Sequence, residues 1–290
     1  MPLLAIPFPY IDPIAIEVGP FAIRWYALAY VAGIVGGWWY SRRLVAREAL
    51  WGDVRRPTLL DMDDLIIWAA LGIVLGGRIG YVLFYNLESY LADPLEILTI
   101  WRGGMSFHGG FLGVILAMTF FARSRGLNLL SLFDLGAVVA PLGLFTGRLA
   151  NFVNGELWGR PAPDVPWAVV FPAAGPEPRH PSQIYEAFAE GLVLLTLMGI
   201  AARWLGFRRP GLLAGLFAIG YGIARICCEY FREPDEQLGF LFGGALSGLG
   251  GITMGQVLSL PMVLAGLLLV LAARRGWTRR LDRAGPATPA

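Results

Sequence analysis

Residues 132–159 read LFDLGAVVAPLGLFTGRLANFVNGELWG. The stretch Leu132–Phe152 is almost wholly apolar and has the ~20 residues that a helix needs to cross a bilayer. The chain then turns polar and glycine-bearing through Asn154, Gly155, Glu156 and Gly159, so the span ends sharply. Asp134 and Arg148 stand in this apolar run. Ionisable residues are costly in hydrocarbon, which makes such positions candidates for function. Six further segments have the same character: Phe21–Tyr40, Asp64–Tyr85, Phe107–Ala122, Ile184–Trp204, Gly211–Phe231 and Gly255–Ala273. The expected fold is an all-α integral membrane protein with seven transmembrane helices.

Composition agrees. Of 290 residues, 56% are hydrophobic and 15% charged, against the ~25% charged of a soluble domain. The net charge of +2 gives no reason to expect a nucleic-acid partner. Every basic residue apart from histidine is arginine, which reads as genome composition rather than chemistry. The two cysteines, Cys227 and Cys228, are adjacent and cannot readily bridge each other, so no disulfide framework is expected. They read as small packing residues in an apolar run. Met1–Pro20 lacks a basic start and is interrupted by Pro2, Pro7, Pro9, Pro13 and Pro20. It is not a cleavable signal peptide on this reading, and it suits the membrane surface.

Arginine placement orients the spans. One set of alternate loops and the C-terminal tail hold Arg42, Arg43, Arg47, Arg55, Arg56, Arg123, Arg125, Arg203, Arg208, Arg209, Arg274, Arg275, Arg279, Arg280 and Arg283. The other loops hold only Arg102, Arg160, Arg179 and Arg232. Basic loops stay in the cytoplasm, so the N-terminus is expected outside and the C-terminus inside, as an odd span count requires. Residues 1–275 then form one polytopic domain. A small extracytoplasmic cap covers about 154–183, with a strand-like run at Trp167–Phe171. Asn86–Ser106 and the Gly-rich Glu233–Met254 read as further outer segments, and 276–290 as a basic, disordered tail at the lipid surface.

Arg24, Arg78, Arg148, Arg225 and Glu229 fall within spans, with Asp134 and Glu186 near span ends. Arg78, Arg148 and Arg225 lie towards the outer end of their spans. Several guanidiniums at one depth suit an anionic ligand, because the planar fork donates two hydrogen bonds to phosphate. They equally suit snorkelling or pairing with Glu229 and Glu156. The residues alone leave both readings open. Gly77-Arg78-Ile79-Gly80-Tyr81 weakly echoes Gly147-Arg148-Leu149-Ala150-Asn151, which close helix packing explains without an inverted repeat.

The stretch Gly147–Gly159 resembles the signature of bacterial prolipoprotein diacylglyceryl transferases. Further stretches resemble the same family in order: Arg24-Trp25-Tyr26, Gly76–Tyr81, Gly103–Gly110, Arg179–Glu186, Gly220-Tyr221-Gly222 through Arg225 and Glu229 to Arg232-Glu233-Pro234-Asp235, and Met254-Gly255-Gln256. The segment between Gly159 and Arg179 looks short for the family, which bears on the size of the cap. The resemblance implies transfer of a diacylglyceryl group from phosphatidylglycerol to the lipobox cysteine of a prolipoprotein signal peptide. It implies an enzyme of the bacterial inner membrane whose site faces the outer leaflet.

Such a reaction needs a thiolate from a thiol of pKa about 8.5, and stabilisation of the leaving phosphate. Against that need, His108 is the candidate general base, flanked by Gly109 and Gly110. It also suits a helix cap or a loop contact. His180, before Pro181, reads as structural. Arg148 and Arg225 are the expected phosphate pair, with Arg78 at similar depth. Asn151, Asn154 and Glu156 would hold the headgroup glycerol or orient Arg148. Glu229 shares a helical face with Arg225 and would orient it, or form a purely structural pair. Tyr26 and Tyr221 are expected to donate to the lipid or to His108, or to lie in the interfacial aromatic belt. Gly159 permits a tight exit from the motif loop. No cofactor and no metal are expected, since the two histidines stand far apart in sequence and lack ligand spacing.

An organic-anion secondary transporter is the competing reading, disfavoured by the odd span count and the one-sided motifs. A lipid phosphatase would use water where the family uses a thiol, and the chain has no Gly-x-Ser-x-Gly elbow. Topology reporters fused after Arg43, Arg125 and Arg209 should score as cytoplasmic, and those within Asp164–Pro178 as external. An external score after Arg209 overturns the seven-span orientation.

Overall fold

A computed structural model describes residues 5–19, 21–100, 103–234, 239–241 and 251–280. Five helical segments are long and apolar enough to cross a membrane: Leu59–Tyr85, Leu129–Val153, Ser182–Leu205, Leu212–Glu229 and Met254–Arg274. Two further expected spans are helical over Trp25–Val45 and Phe107–Arg125 but do not match those five in length and apolarity together. Outward faces carry large exposed apolar side chains such as Ile67, Leu71, Leu112, Leu116 and Leu268, as lipid contact requires.

The elements follow in order. Three short strands come first, β1 (Ile6–Pro7), β2 (Ile14–Val18) and β3 (Phe21–Arg24). They precede α1 (Trp25–Val45), α2 (Leu59–Tyr85), α3 (Leu87–Ala92), α4 (Phe107–Arg125) and α5 (Leu129–Val153). A fourth strand, β4 (Val169–Val170), lies in the cap, followed by α6 (Ser182–Glu186), a π-helical segment (Ala187–Val193) and α7 (Leu194–Leu205). The chain ends with α8 (Leu212–Glu229), α9 (Met254–Arg274) and α10 (Trp277–Arg280).

The strands correct the all-α expectation. β2 and β3 pair antiparallel, so Phe21–Arg24 is a strand and the first helix begins at Trp25, four residues later than expected. β1 pairs parallel with β4. The strand expected over Trp167–Phe171 is thus only Val169–Val170, and it closes against the N-terminal segment. Phe8 packs on Phe152 and Phe171 at 5.5 and 5.3 Å between ring centroids, fastening that segment over the end of α5. The tail is helical over Trp277–Arg280, while 281–290 and most of the Gly-rich Glu233–Met254 stretch lie outside the described residues.

Caps set the helix starts. Thr58 and Asp61 form a reciprocal capping box on α2, and Thr253 and Gln256 form one on α9. Asp134, fully buried on α5, accepts hydrogen bonds from the backbone N–H of Gly211 and Ala214, both at 2.7 Å. The first turn of α8 is therefore fixed by a carboxylate from another helix.

Small residues set the helix separations. A Cβ added at Gly113 of α4 would lie 2.0 Å from the Gly72 carbonyl oxygen of α2, and one at Gly109 would lie 2.3 Å from that of Gly76. Gly72, Gly76 and Gly80 recur every four residues and form a stripe that admits the α4 backbone. Between α8 and α9, Gly215 and Gly266 play the same part, each with a would-be Cβ 2.8 Å from the other's carbonyl oxygen. Gly191 in the π-helical segment lets that helix approach α5, where its Cβ would meet Phe145 Cα at 2.7 Å.

The bundle is asymmetric along its length. Its apolar core gathers Leu44, Trp51, Met62, Phe121, Leu132, Leu135, Met198, Phe207 and Leu213 at the end bearing the arginine-rich loops. There Trp51 and Phe207 stack at 4.5 Å. Polar residues are buried at both ends, Asp61, Ser131 and Asp134 among them at this one and Glu186, Glu190 and Glu229 at the other.

Gly113→Leu should separate α2 from α4 and destabilise the fold by ~1–3 kcal/mol or more, the usual cost of overpacking. Gly136→Ala meets only Met118 Cε at 3.9 Å, so it should be neutral or slightly stabilising. Thermal unfolding of purified protein in detergent checks both. A Gly113→Leu melting point equal to the parent's contradicts the tight seam.

Candidate active site

Six charged side chains meet where α5, α6 and α8 come together. Arg148 comes from α5, Glu186 from the end of α6, Glu190 from the π-helical segment, Arg225 and Glu229 from α8, and Arg232 from just beyond it. Arg148 lies 3.1 Å from Glu186 and 3.5 Å from Glu190. Arg225 lies 2.7 Å from Glu186, 3.5 Å from Glu190, and pairs closely with Glu229. Arg232 reaches Glu186 at 3.5 Å and Glu229 at 4.0 Å.

The cluster is layered. Glu186 and Glu190 are fully buried, whereas the Arg148 and Arg225 side chains keep 16% and 14% exposure. The carboxylates form the floor and the guanidiniums the accessible surface. Opposite charges must neutralise one another here, because an unpaired ion in an apolar interior costs several kcal/mol. Bound from below, the two forks hold fixed orientations and can receive an anion from the open side.

Surrounding polar groups extend this surface. Asn151 and Asn154 both donate to Glu156 Oε1, at 2.8 and 3.3 Å. Gln183 Nε2 donates to the Glu156 carbonyl at 2.6 Å, and Ser182 Oγ to that of Leu157 at 2.9 Å. Gly155 and Leu157 have φ of +63° and +57°, and the second is uncommon for a side chain of that size. Tyr26 lies within electrostatic reach of Glu156 and Arg148, with its hydroxyl 3.1 Å from that of Tyr30. Tyr221 faces Glu190, Arg225, Arg148 and Glu186. Glu229 Oε2 accepts from Thr253 Oγ1 at 2.7 Å, which ties the cluster to the start of α9.

Gly159 sits where no side chain fits. A Cβ there would lie 2.5 Å from the Phe231 carbonyl oxygen and 2.6 Å from that of His180. Bridges Gly159–Arg232 and Pro161–Arg179 bring the cap, the end of α8 and the approach to α6 together. Arg160 clamps the junction by donating to the carbonyls of Arg232 and Glu229 at 2.9 and 3.1 Å.

The structure thus brings together Tyr26, Arg148, Asn151, Asn154, Glu156, Gly159, Tyr221, Arg225 and Glu229. Arg78 is engaged elsewhere. It donates to the carbonyls of Glu96, Ile97, Gly103 and Gly104 at 2.6–3.2 Å and lies 5.1 Å from the Tyr90 ring centroid. Those contacts hold the connection between α3 and α4. His108 is exposed on the first turn of α4. Glu190 did not enter the sequence reading, and Glu186 entered only as a span-end carboxylate. Their spacing of four residues in an apolar run was the available signal.

His180 occupies a different environment. Trp167 Nε1 donates to the Tyr185 hydroxyl oxygen at 2.6 Å, and that hydroxyl is hydrogen-bonded to His180 Nδ1 at 3.1 Å. Burial, reinforced by the Arg160 charge, holds His180 below the usual imidazole value.

These features define a polytopic membrane protein with a buried polar site of paired arginines and glutamates. A model of the prolipoprotein diacylglyceryl transferase family matches residues 13–272. The chain is 60% identical over 277 residues to the phosphatidylglycerol–prolipoprotein diacylglyceryl transferase of Rhodospirillum rubrum, covering 94% of this chain and 96% of that one. It is 58% identical to the enzyme of that name from Methylocella silvestris, over 93% and 96% of the two chains. It is 53% identical to that of Rhodopseudomonas palustris, over 100% and 98%. The chain belongs to the prolipoprotein diacylglyceryl transferase family, and it is a transferase.

The lowered His180 pKa sets a pH dependence for folding. The unfolded chain binds a proton near pH ~6.5 that the folded one resists. Stability from this group is whole above that value and is lost as pH falls below it, until the lower folded pKa is reached. Between pH 7.5 and 5 the parent's melting temperature should fall more than that of His180→Gln. Parallel profiles would sink this assignment.

Proposed function

We propose that the protein transfers the diacylglyceryl group of phosphatidylglycerol to the lipobox cysteine thiol of prolipoproteins, releasing glycerol phosphate. The observation that carries this reading is the layered cluster. Two fixed guanidiniums over a carboxylate floor suit a phosphodiester, and the named relatives act on a phosphatidylglycerol. The substrate lies in the outer leaflet of the bacterial inner membrane. The reading takes Trp25–Val45 and Phe107–Arg125 as spans alongside the five apolar ones, with the N-terminus outside and the C-terminus in the cytoplasm. Arginine distribution supports that arrangement.

In this reading Arg148 and Arg225 bind the phosphate, and Glu186 and Glu229 aim them. Asn151, Asn154 and Glu156 face the headgroup glycerol, with Tyr26 beside them. Gly159 keeps the cap close to α8. Tyr221 donates towards the reacting region. Arg78 supports the outer connection leading into α4, where His108 stands as the general base. Sulfur attacks the glycerol carbon bearing the phosphate, the C–O bond breaks, and the electron pair leaves on phosphate oxygen. The thiol proton passes through the base to the departing monoester. Diester monoanion plus thiol thus give thioether plus monoester monoanion, with no outside reagent.

Purified protein given phosphatidylglycerol and a lipobox peptide should release glycerol phosphate in step with thioether formation. Arg148→Lys and Arg225→Lys keep charge but lose the bidentate fork, so both should lose most activity at parental protein levels. Full activity in either marks that residue as a structural cation. His108→Gln should lower turnover ~10²–10⁴-fold at neutral pH. The deficit should shrink as pH rises through the thiol's own pKa, because solvent then supplies thiolate. A deficit constant from neutral to alkaline pH excludes proton abstraction by His108.

A further inference from the structure

The cluster holds three guanidiniums, Arg148, Arg225 and Arg232, and three carboxylates, Glu186, Glu190 and Glu229, all largely or fully buried. Among the described residues these six charges sum to zero. A phosphodiester brings one negative charge, and a buried site cannot hold an uncompensated ion without large cost. Taking up one proton on a carboxylate restores neutrality at the least expense.

The three carboxylates are not equally held. Glu186 receives Arg225 at 2.7 Å, Arg148 at 3.1 Å and Arg232 at 3.5 Å. Glu229 pairs closely with Arg225 and accepts from Thr253 Oγ1 at 2.7 Å. Glu190 has only two guanidinium contacts, each at 3.5 Å. Each of the two floor carboxylates has one buried oxygen that accepts no hydrogen bond among the described residues, Glu190 Oε1 and Glu186 Oε2, so the difference between them lies in the number and length of their guanidinium contacts. When a phosphate draws Arg148 and Arg225 towards itself, Glu190 loses the weakest compensation first.

We infer that Glu190 takes up a proton when anionic phospholipid binds, and so keeps the buried arginine–glutamate cluster neutral with the lipid in place. This rests on the reading of the cluster as the phosphatidylglycerol site. Glu190 is a positioning residue in this role, since it acts on the lipid through the two arginines. The groups facing it are Arg148 from α5, and Tyr221, Arg225 and Cys228 from α8. Glu186 faces it from its own helix. Tyr185 of α6 is engaged with His180 and Trp167, and Arg203 of α7 lies ~20 Å further along the helix.

The test is calorimetric titration of the full chain in detergent with a short-chain phosphatidylglycerol, in two buffers of different ionisation enthalpy. The parent should take up close to one proton per lipid bound. Its affinity should weaken as pH rises, by up to about tenfold per pH unit. Glu190→Gln, neutral and of the same shape, should bind the lipid at least as well, with no uptake and a flat pH profile. Glu186→Gln removes one carboxylate charge in the same way, so by the same count it too should bind the lipid without proton uptake. Binding by the parent without proton uptake overturns the inference, and so does undiminished uptake in Glu190→Gln. The parent measurement decides the first point even where a variant does not fold. Failure of the parent to bind phosphatidylglycerol at all removes the functional reading, and this inference with it.

Discussion

Glu186 and Glu190 are fully buried within an apolar helix, and nothing about the site stands without their neutralisation. Each is within reach of both Arg148 and Arg225, so the pairs are shared rather than separate. Shared pairing couples three segments of chain. Moving α5 relative to α8 by even a fraction of an ångström would leave a carboxylate uncompensated. Removing one partner of a buried pair typically costs ~3–5 kcal/mol, more than replacing both with apolar residues. The cluster is therefore a poor source of net stability but a strict determinant of register. That constraint fixes where the two guanidiniums stand relative to each other.

The constraint can be met only because the helices approach closely elsewhere. Dispersion contacts, not hydrophobic burial, hold helices together in lipid, and these fall off steeply with distance. The glycine seam between α2 and α4 and the Gly215–Gly266 contact between α8 and α9 provide them. Gly191 brings the π-helical segment against Phe145 of α5. That contact lies one residue beyond Glu190 and three before Arg148 in their respective chains. The small residue and the charged ones are parts of one arrangement, since a side chain at 191 would push Glu190 away from Arg148. Widened π turns recur where a helix must re-aim a side chain, and this one carries Glu190.

Much of this could be read in the sequence because the signals were strong and local. Apolar runs of span length gave the helices, and the polar motif after Phe152 gave Arg148, Asn151, Asn154, Glu156 and Gly159 their common place. Arg225 and Glu229 followed from helical spacing. What could not be read depends on contacts distant in sequence. β1 pairs with β4 across more than one hundred and sixty residues, from Ile6 to Val169, and neither two-residue strand has a pattern of its own. Arg78 stood at the same expected depth as Arg148, yet its partners are carbonyls of a loop whose path no periodicity specifies. Glu190 fell inside an apolar run where a second carboxylate reads as an interruption until its two arginines are seen beside it.

The asymmetry of the bundle follows from the same economy of charge. At the arginine-rich end, water and headgroups are close, and ion pairs such as Arg42–Asp63 and Arg125–Asp64 sit half-exposed over a dry core of Trp51, Phe121, Leu132 and Phe207. Exposed pairs of that kind contribute little to stability, so packing carries this end. At the other end the strands of the N-terminal segment and the cap close over the charged cluster's surroundings through Phe8, Phe152 and Phe171. A rigid half therefore holds the helix axes, and the opposite half spends that rigidity on orienting guanidiniums. A substrate entering from the membrane would meet aligned donors without having to order them. Much of the entropy cost of gathering those donors is already met in folding.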